Sequence, residues 1–139
     1  MFRRVDVVHP YAKAVGWIAT REGIEDDAQR GFGGQSRTAR RVFDARPFDR
    51  CRIFGWVTYV RSTRPGGSRP VIEALLEKMV DADVDVVGLL VLPDDDAFIP
   101  RLMRYYATFG FVPFDDEPYG ETAYPVMLLR ATPCGSALR

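Results

Sequence analysis

The sequence predicts one α/β domain, a sheet containing a parallel strand pair with helices packed against it. Three observations predict this. The 139 residues are 47% hydrophobic and 27% charged, which suits a single packed domain, 1–139, rather than a disordered chain. A β-branched and aromatic run at 51–62 leads into a Gly/Pro loop and then into apolar residues at helical spacing. A second, almost continuous apolar run at 84–92 reads as a strand covered on both faces. A strand, a helix and a second strand in this order make a parallel pair with a right-handed crossover.

Taken in order, 2–8 reads as a first strand. Residues 11–21 suit a short helix, or 14–20 a strand; the two readings stay open. The stretch 24–41 is polar and broken by Gly31, Gly33 and Gly34, with a helix at 37–43. The strand from Cys51 stops at 63–70, a stretch with two glycines and two prolines. Pro70 suits the first turn of a helix, with Ser68 or Arg69 near its N-cap. Val71, Ile72, Leu75, Leu76, Met79 and Val80 then share one helical face, and the helix should end near 81–83. After the apolar run, Asp94, Asp95 and Asp96 form a break and an N-cap cluster rather than a metal site. Phe98, Leu102, Met103, Tyr105, Tyr106 and Phe109 give another helix, closed by Gly110. Short strands at 111–114 and 124–130 flank a polar turn at 115–121, and the tail 131–139 is expected to fray.

Charge narrows the function classes. The net charge is zero, yet residues 1–69 carry 14 Lys/Arg against 7 Asp/Glu, and residues 70–139 carry 5 against 12. The basic part is densest from Arg30 to Arg69, a patch able to hold phosphates. No apolar run approaches the roughly 18 residues of a membrane span. No secretory leader follows the start Met-Phe-Arg-Arg-Val-Asp, so a cytoplasmic protein is expected. Cys51 and Cys134, far apart and without neighbouring ligands, read as two idle thiols; neither a zinc site nor a disulfide is expected.

The loop at 64–70 is the strongest chemical feature. Glycines opening a helix expose amide N–H groups at the positive end of the helix dipole, and Arg64 and Arg69 add donors for phosphate oxygens. The loop is neither a Walker loop nor a dinucleotide fingerprint. His9, the single histidine, reads as an edge residue. Tyr105 and Tyr106, taken alone, read as core aromatics.

From 52 to 130 the order of elements resembles the GNAT family of acyl-CoA N-acyltransferases. Trp56-Val-Thr-Tyr-Val-Arg61, the Arg64–Pro70 loop and Val71-Ile-Glu-Ala-Leu-Leu-Glu77 resemble the family's central strand, pyrophosphate loop and following helix. Val86–Leu92 resembles the next strand, and Tyr106-Ala-Thr-Phe-Gly-Phe111 the family's Tyr-x-x-x-Gly-Phe helix end. The resemblance implies a mostly antiparallel sheet with a central parallel pair. It implies acetyl-CoA as co-substrate and an amine as acceptor. Main-chain groups of Tyr59, Val60 and Arg61 would pair with the pantetheine arm. Arg64, Gly66, Gly67, Ser68 and Arg69 would hold the pyrophosphate, and Tyr106 would protonate the leaving thiolate. The amide near Val60 would polarise the carbonyl.

The sequence departs from the family in three places. The loop is degenerate: Arg69 or Pro70 stands where a small residue belongs, and Pro70 lacks an N–H. The strand has no Glu to act as base, leaving Asp49, Asp94, Asp95 or a water chain. The family's front end, a strand, two helices and a hairpin, is altered in 1–50. Three readings follow. The first is an acetyl-CoA-dependent N-acetyltransferase acting by direct attack of an amine. The second is an inactive scaffold serving a protein partner or a homodimer. The third, a nucleic-acid module stacking bases on Phe32, Phe43, Phe48 and Trp56, ranks last because no RNA-binding signature is present.

Overall fold

The computed structural model describes residues 1–30, 34–114 and 124–131. The chain opens with a hairpin, β1 (Phe2–His9) and β2 (Ala12–Thr20), turned by Pro10 and Tyr11. Two helices follow, α1 (Arg21–Arg30) and α2 (Gly34–Phe43). Then come β3 (Ile53–Ser62), α3 (Ser68–Asp81), β4 (Val86–Leu90), α4 (Ile99–Ala107), β5 (Val112–Pro113) and β6 (Val126–Arg130). The sheet runs β1-β2-β3-β4-β6-β5, and β3 with β4 is its one parallel pair among the described residues. The α/β class, the mixed sheet and the central parallel pair are as the sequence predicts.

Alternation along the strands builds two cores. Ala14, Ile18, Val57, Val87, Leu89 and Met127 face α3 and meet Val71, Leu75 and Met79. Trp17, Phe54, Trp56, Val86 and Leu128 face the other way and meet Ile24, Val42, Phe43 and Phe48. Both faces of β4 are covered, which explains its unbroken apolar run. Trp56 lies across its partner strand: a Cβ built on Gly88 would stand 2.5 Å from the indole's Cζ3. Gly88 is therefore fixed by a close approach of side chain to backbone.

Several boundaries differ from the sequence reading. Residues 12–20 are strand, not helix, because six consecutive residues from Ala14 to Ala19 are buried between the two helical layers. The front end holds a hairpin and two helices, but the hairpin comes first. Helix α3 starts at Ser68 with Gly67 as N-cap, so Pro70 sits inside the first turn. Asp95 caps a short 3-10 turn before α4 by accepting from Ala97 N at 2.9 Å. Gly110 takes φ +101 as the chain leaves α4. Cys51 is disulfide-bonded rather than an idle thiol, and it is buried beside Phe48 and Phe54 at the foot of β3. The expectations for 31–33, 115–123 and 132–139, Cys134 included, lie outside the described residues. No helix among the described residues is long and apolar enough to cross a membrane.

Gly88→Ala should lower stability by about 1–3 kcal/mol through overpacking against Trp56. Thermal unfolding followed by circular dichroism reads this, and an unchanged midpoint would contradict the close approach.

Candidate active site

The site starts with an irregularity in β3. Val57 pairs with Gly16 and Tyr59 with Val15, so Thr58 is an extra residue, a β-bulge. The bulge shifts the alternation by one: Trp56 faces the α1/α2 core, while Val60 faces the α3 core. The parallel pairing ends beside it, at the rung of Val57 with Leu89. Strand β4 stops at Leu90 while β3 runs on to Ser62, so the far half of β3 has no strand partner on the β4 side among the described residues and stays largely exposed.

The ladder fixes which main-chain groups face this unpaired side. Thr63 N donates to Tyr11 O at 2.8 Å, so alternation turns Arg61 and Tyr59 toward β2. The N–H and C=O of Val60 and Ser62 point the other way, to the side that β4 leaves unpaired. Of the three strand residues singled out in the sequence, Val60 alone presents its main chain there.

Gln35, which the sequence reading passed over, fastens the bulge from α2. Its side-chain amide donates to Thr58 O at 3.0 Å, and its Oε1 accepts from Trp56 Nε1 at 2.8 Å. One side chain thus satisfies the carbonyl released by the bulge and the indole N–H of the adjacent core residue. The glycine-rich stretch before α2 concealed it; its only signal was a polar side chain at the start of a helix.

The loop after β3 is held tightly. Arg64 O accepts from Gly67 N at 3.0 Å and from Ser62 Oγ at 2.6 Å. Gly66 takes φ +73, and a Cβ on Gly67 would stand 2.6 Å from Ser62 Oγ. Both glycines are thus required by the turn. Because Gly67 N is used in the turn and Pro70 has no N–H, the start of α3 offers the amides of Ser68 and Arg69. The two arginines proposed for phosphate are engaged elsewhere. Arg64 stacks on the Tyr11 ring at 3.7 Å, and Arg69 donates to Thr108 Oγ1 at 2.7 Å while lying over Phe109.

Helix α4 brings two tyrosines with different surroundings. Tyr105 and Ser68 share a 2.6 Å hydrogen bond that ties α4 to the loop. Tyr105 also lines a cleft of about 320 Å³ with Pro93, Asp94, Phe98, Arg101 and Leu102. Tyr106 packs against the α3-side core with its ring on Phe111, and no described residue hydrogen-bonds its hydroxyl. Burial first, and neighbouring Tyr105 second, push its pKa above the ordinary 10.0, so Tyr106 keeps its proton.

Position sorts the carboxylates considered as a base. Asp49 lies below the foot of β3, at the far end from the opening, and Asp95 is committed to its cap. Asp94 follows β4 on the open side and lines the cleft. The aromatics offered for base stacking do not serve: Phe43, Phe48 and Trp56 are fully buried, and Phe32 lies outside the described residues.

No family model matches the sequence, and no curated protein matches it. Solved structures match in fold. A mutant agmatine N-acetyltransferase in its apo form aligns with a TM-score of 0.61 at 13% identity, covering 88% of this chain and 71% of that one. A polyamine N-acetyltransferase of Drosophila melanogaster, which catalyses formation of N-acetylagmatine, aligns at 0.57 with 12% identity, covering 88% and 72%. At these identities the likeness is one of fold alone, the fold shared with these two enzymes.

Two outcomes follow. Gln35→Leu should cost about 1–3 kcal/mol by leaving the Trp56 indole N–H and Thr58 O unpaired. Denaturant unfolding followed by tryptophan fluorescence measures it. Because the folded-state pKa of Tyr106 is raised, its contribution to stability is intact below the ordinary phenol range and lost as pH rises beyond it. Unfolding titrations above pH ~10 should therefore fall less steeply in Tyr106→Phe than in the parent.

Proposed function

We propose that this chain is an acetyl-CoA-dependent N-acetyltransferase that acts on an amine by direct attack. The observation that carries the reading is the stretch of β3 beyond Val57 and the bulge at Thr58, which has no strand partner on the β4 side among the described residues and whose Val60 main chain turns away from β2. A free strand edge beside a helix N-terminus suits an extended amide-bearing arm that ends in a phosphate group. Bound there, acetyl-CoA supplies an acyl thioester whose transfer to an amine releases a thiolate.

The chain's own groups then have these roles. Val60 and Ser62 offer strand-type hydrogen bonds to the arm, and the amides of Ser68 and Arg69 at the start of α3 face the phosphates. Gly66 and Gly67 set the turn that aims those amides. Arg64 and Arg69 add positive charge while stacked on their aromatic partners. Val60 N–H polarises the carbonyl. Tyr106 holds its proton at neutral pH and gives it to the departing sulfur through a hydrogen bond. Asp94 receives the proton of the attacking amine, directly or through water. The acceptor is an amine of a small molecule or a protein; agmatine and polyamines, after which the two structural neighbours are named, belong in the first panel.

One observation favours a second reading, an inactive scaffold that binds a protein. Arg64 and Arg69 are held by Tyr11 and by Thr108, and Pro70 removes an amide, so the phosphate cradle is small.

Calorimetric titration with acetyl-CoA separates the two. Micromolar binding, weakened in an Arg64→Ala/Arg69→Ala variant, supports the enzyme, and its absence at millimolar cofactor supports the scaffold. With a turnover assay in hand, Tyr106→Phe should reduce kcat about 10²-fold or more at unchanged acetyl-CoA affinity. Tyr105→Phe should instead weaken binding by freeing Ser68. Equal kcat in the parent and Tyr106→Phe would remove Tyr106 from the mechanism.

A further inference from the structure

The two edges of the sheet are unlike. One edge is β5, two residues long and containing Pro113, a form that blocks further pairing. The other is β1, eight residues long, with no proline, no lysine and an unbroken register against β2. Among the described residues no strand pairs with its outer side; the side chain of Lys78 on α3 reaches it, donating to Asp6 O at 3.3 Å.

The outward groups of β1 can be identified. Thr20 N donates to Met1 O at 3.0 Å, so odd-numbered residues of the strand turn their main chain to β2. Phe2, Arg4, Asp6 and Val8 turn theirs outward, and their side chains share the face that carries Trp17. That row is exposed: Val8 is 68% and Phe2 38% exposed, and the side chains of Arg4 and Asp6, 64% and 39% exposed, meet each other at 2.9 Å within the strand, a pair that would exchange partners across the two-fold.

We propose that β1 pairs antiparallel with β1 of a second copy, about a two-fold axis through Val5, and joins two sheets into one. Register decides this. Antiparallel bonding requires outward residues to face outward residues. Centring on Arg4 sets arginine against arginine, and centring on Asp6 sets carboxylate against carboxylate. Centring on Val5 sets Arg4 against the partner's Asp6 twice and Phe2 against the partner's Val8 twice. Opposite charges and apolar pairs directly across a ladder stabilise it, and like charges oppose it. The segment FRRVDVVH is thus complementary to itself in one register. This inference is independent of the acetyltransferase reading.

Sedimentation equilibrium over a concentration series tests it. The parent should be a dimer. Arg4→Asp alone and Asp6→Arg alone each place like charges opposite one another and should weaken the dimer at least about tenfold. The double swap, Arg4→Asp with Asp6→Arg, should restore it, and so should mixing the two single variants. In Val5→Cys the paired Cα atoms would be about 4.5 Å apart, within disulfide reach, so oxidation should give a cross-linked dimer on a non-reducing gel. A parent that stays monomeric overturns the proposal. So does a dimer indifferent to both single substitutions while circular dichroism shows them folded.

Discussion

The parallel pairing of β3 with β4 ends at Val57 and Leu89, and the candidate site depends on that ending. A strand pair left closed would bury its own edge and present no main chain to a ligand. Thr58 breaks the register, and a bulge is stable only when its displaced carbonyl finds a donor. Gln35 supplies the donor and anchors itself on the Trp56 indole. Trp56 in turn is seated over Gly88 of β4, one rung before the pairing ends. The end of the pairing is thus braced from three elements, α2, β3 and β4, through two side chains and one missing Cβ.

What was legible in the sequence followed from side chains that report a single environment. The run Val86–Leu90 is apolar on both faces because helices cover both, and Val71, Ile72, Leu75 and Met79 mark the buried face of α3. The glycines at 66 and 67 announced the turn. The parallel pair followed from their order. What was not legible depends on long-range contacts. Ala12–Thr20 carries small residues that suit helix or strand alike, and only burial between two layers decides. Gln35 acquires meaning only when α2 sets it beside Thr58, 23 positions away. The disulfide at Cys51 has no local signature either.

The front end shows how a layer can be kept while its order changes. The hairpin precedes α1 and α2, yet both helices still cover the face of β2 and β3 that carries Trp17, Phe54 and Trp56. Arg21 secures the join, donating to Phe43 O at 2.8 Å and Phe48 O at 2.9 Å while lying over the Phe54 ring. The Phe43 carbonyl at the end of α2 is thus satisfied from the start of α1, and that of Phe48, which also accepts from Cys51 N, ties the following 3-10 turn to the same guanidinium.

Arg21 belongs to a wider use of arginine that changes the meaning of the basic half. Arg64 stacks on Tyr11, Arg69 on Phe109 and Arg130 over Phe48. In each case a planar cation covers an aromatic ring, an interaction suited to guanidinium and weakly dependent on any ligand. Arginines of the basic half thus become clamps joining hairpin to loop and α3 to α4, and Arg130 from the acidic half joins β6 to the α2 side in the same way. In the proposed function, recognition of a phosphate at the loop falls first to the directional amides of Ser68 and Arg69, with the arginines adding field rather than forks. A site built this way gains its selectivity from backbone geometry, and that geometry is set by Gly66, Gly67 and the bond between Ser68 and Tyr105.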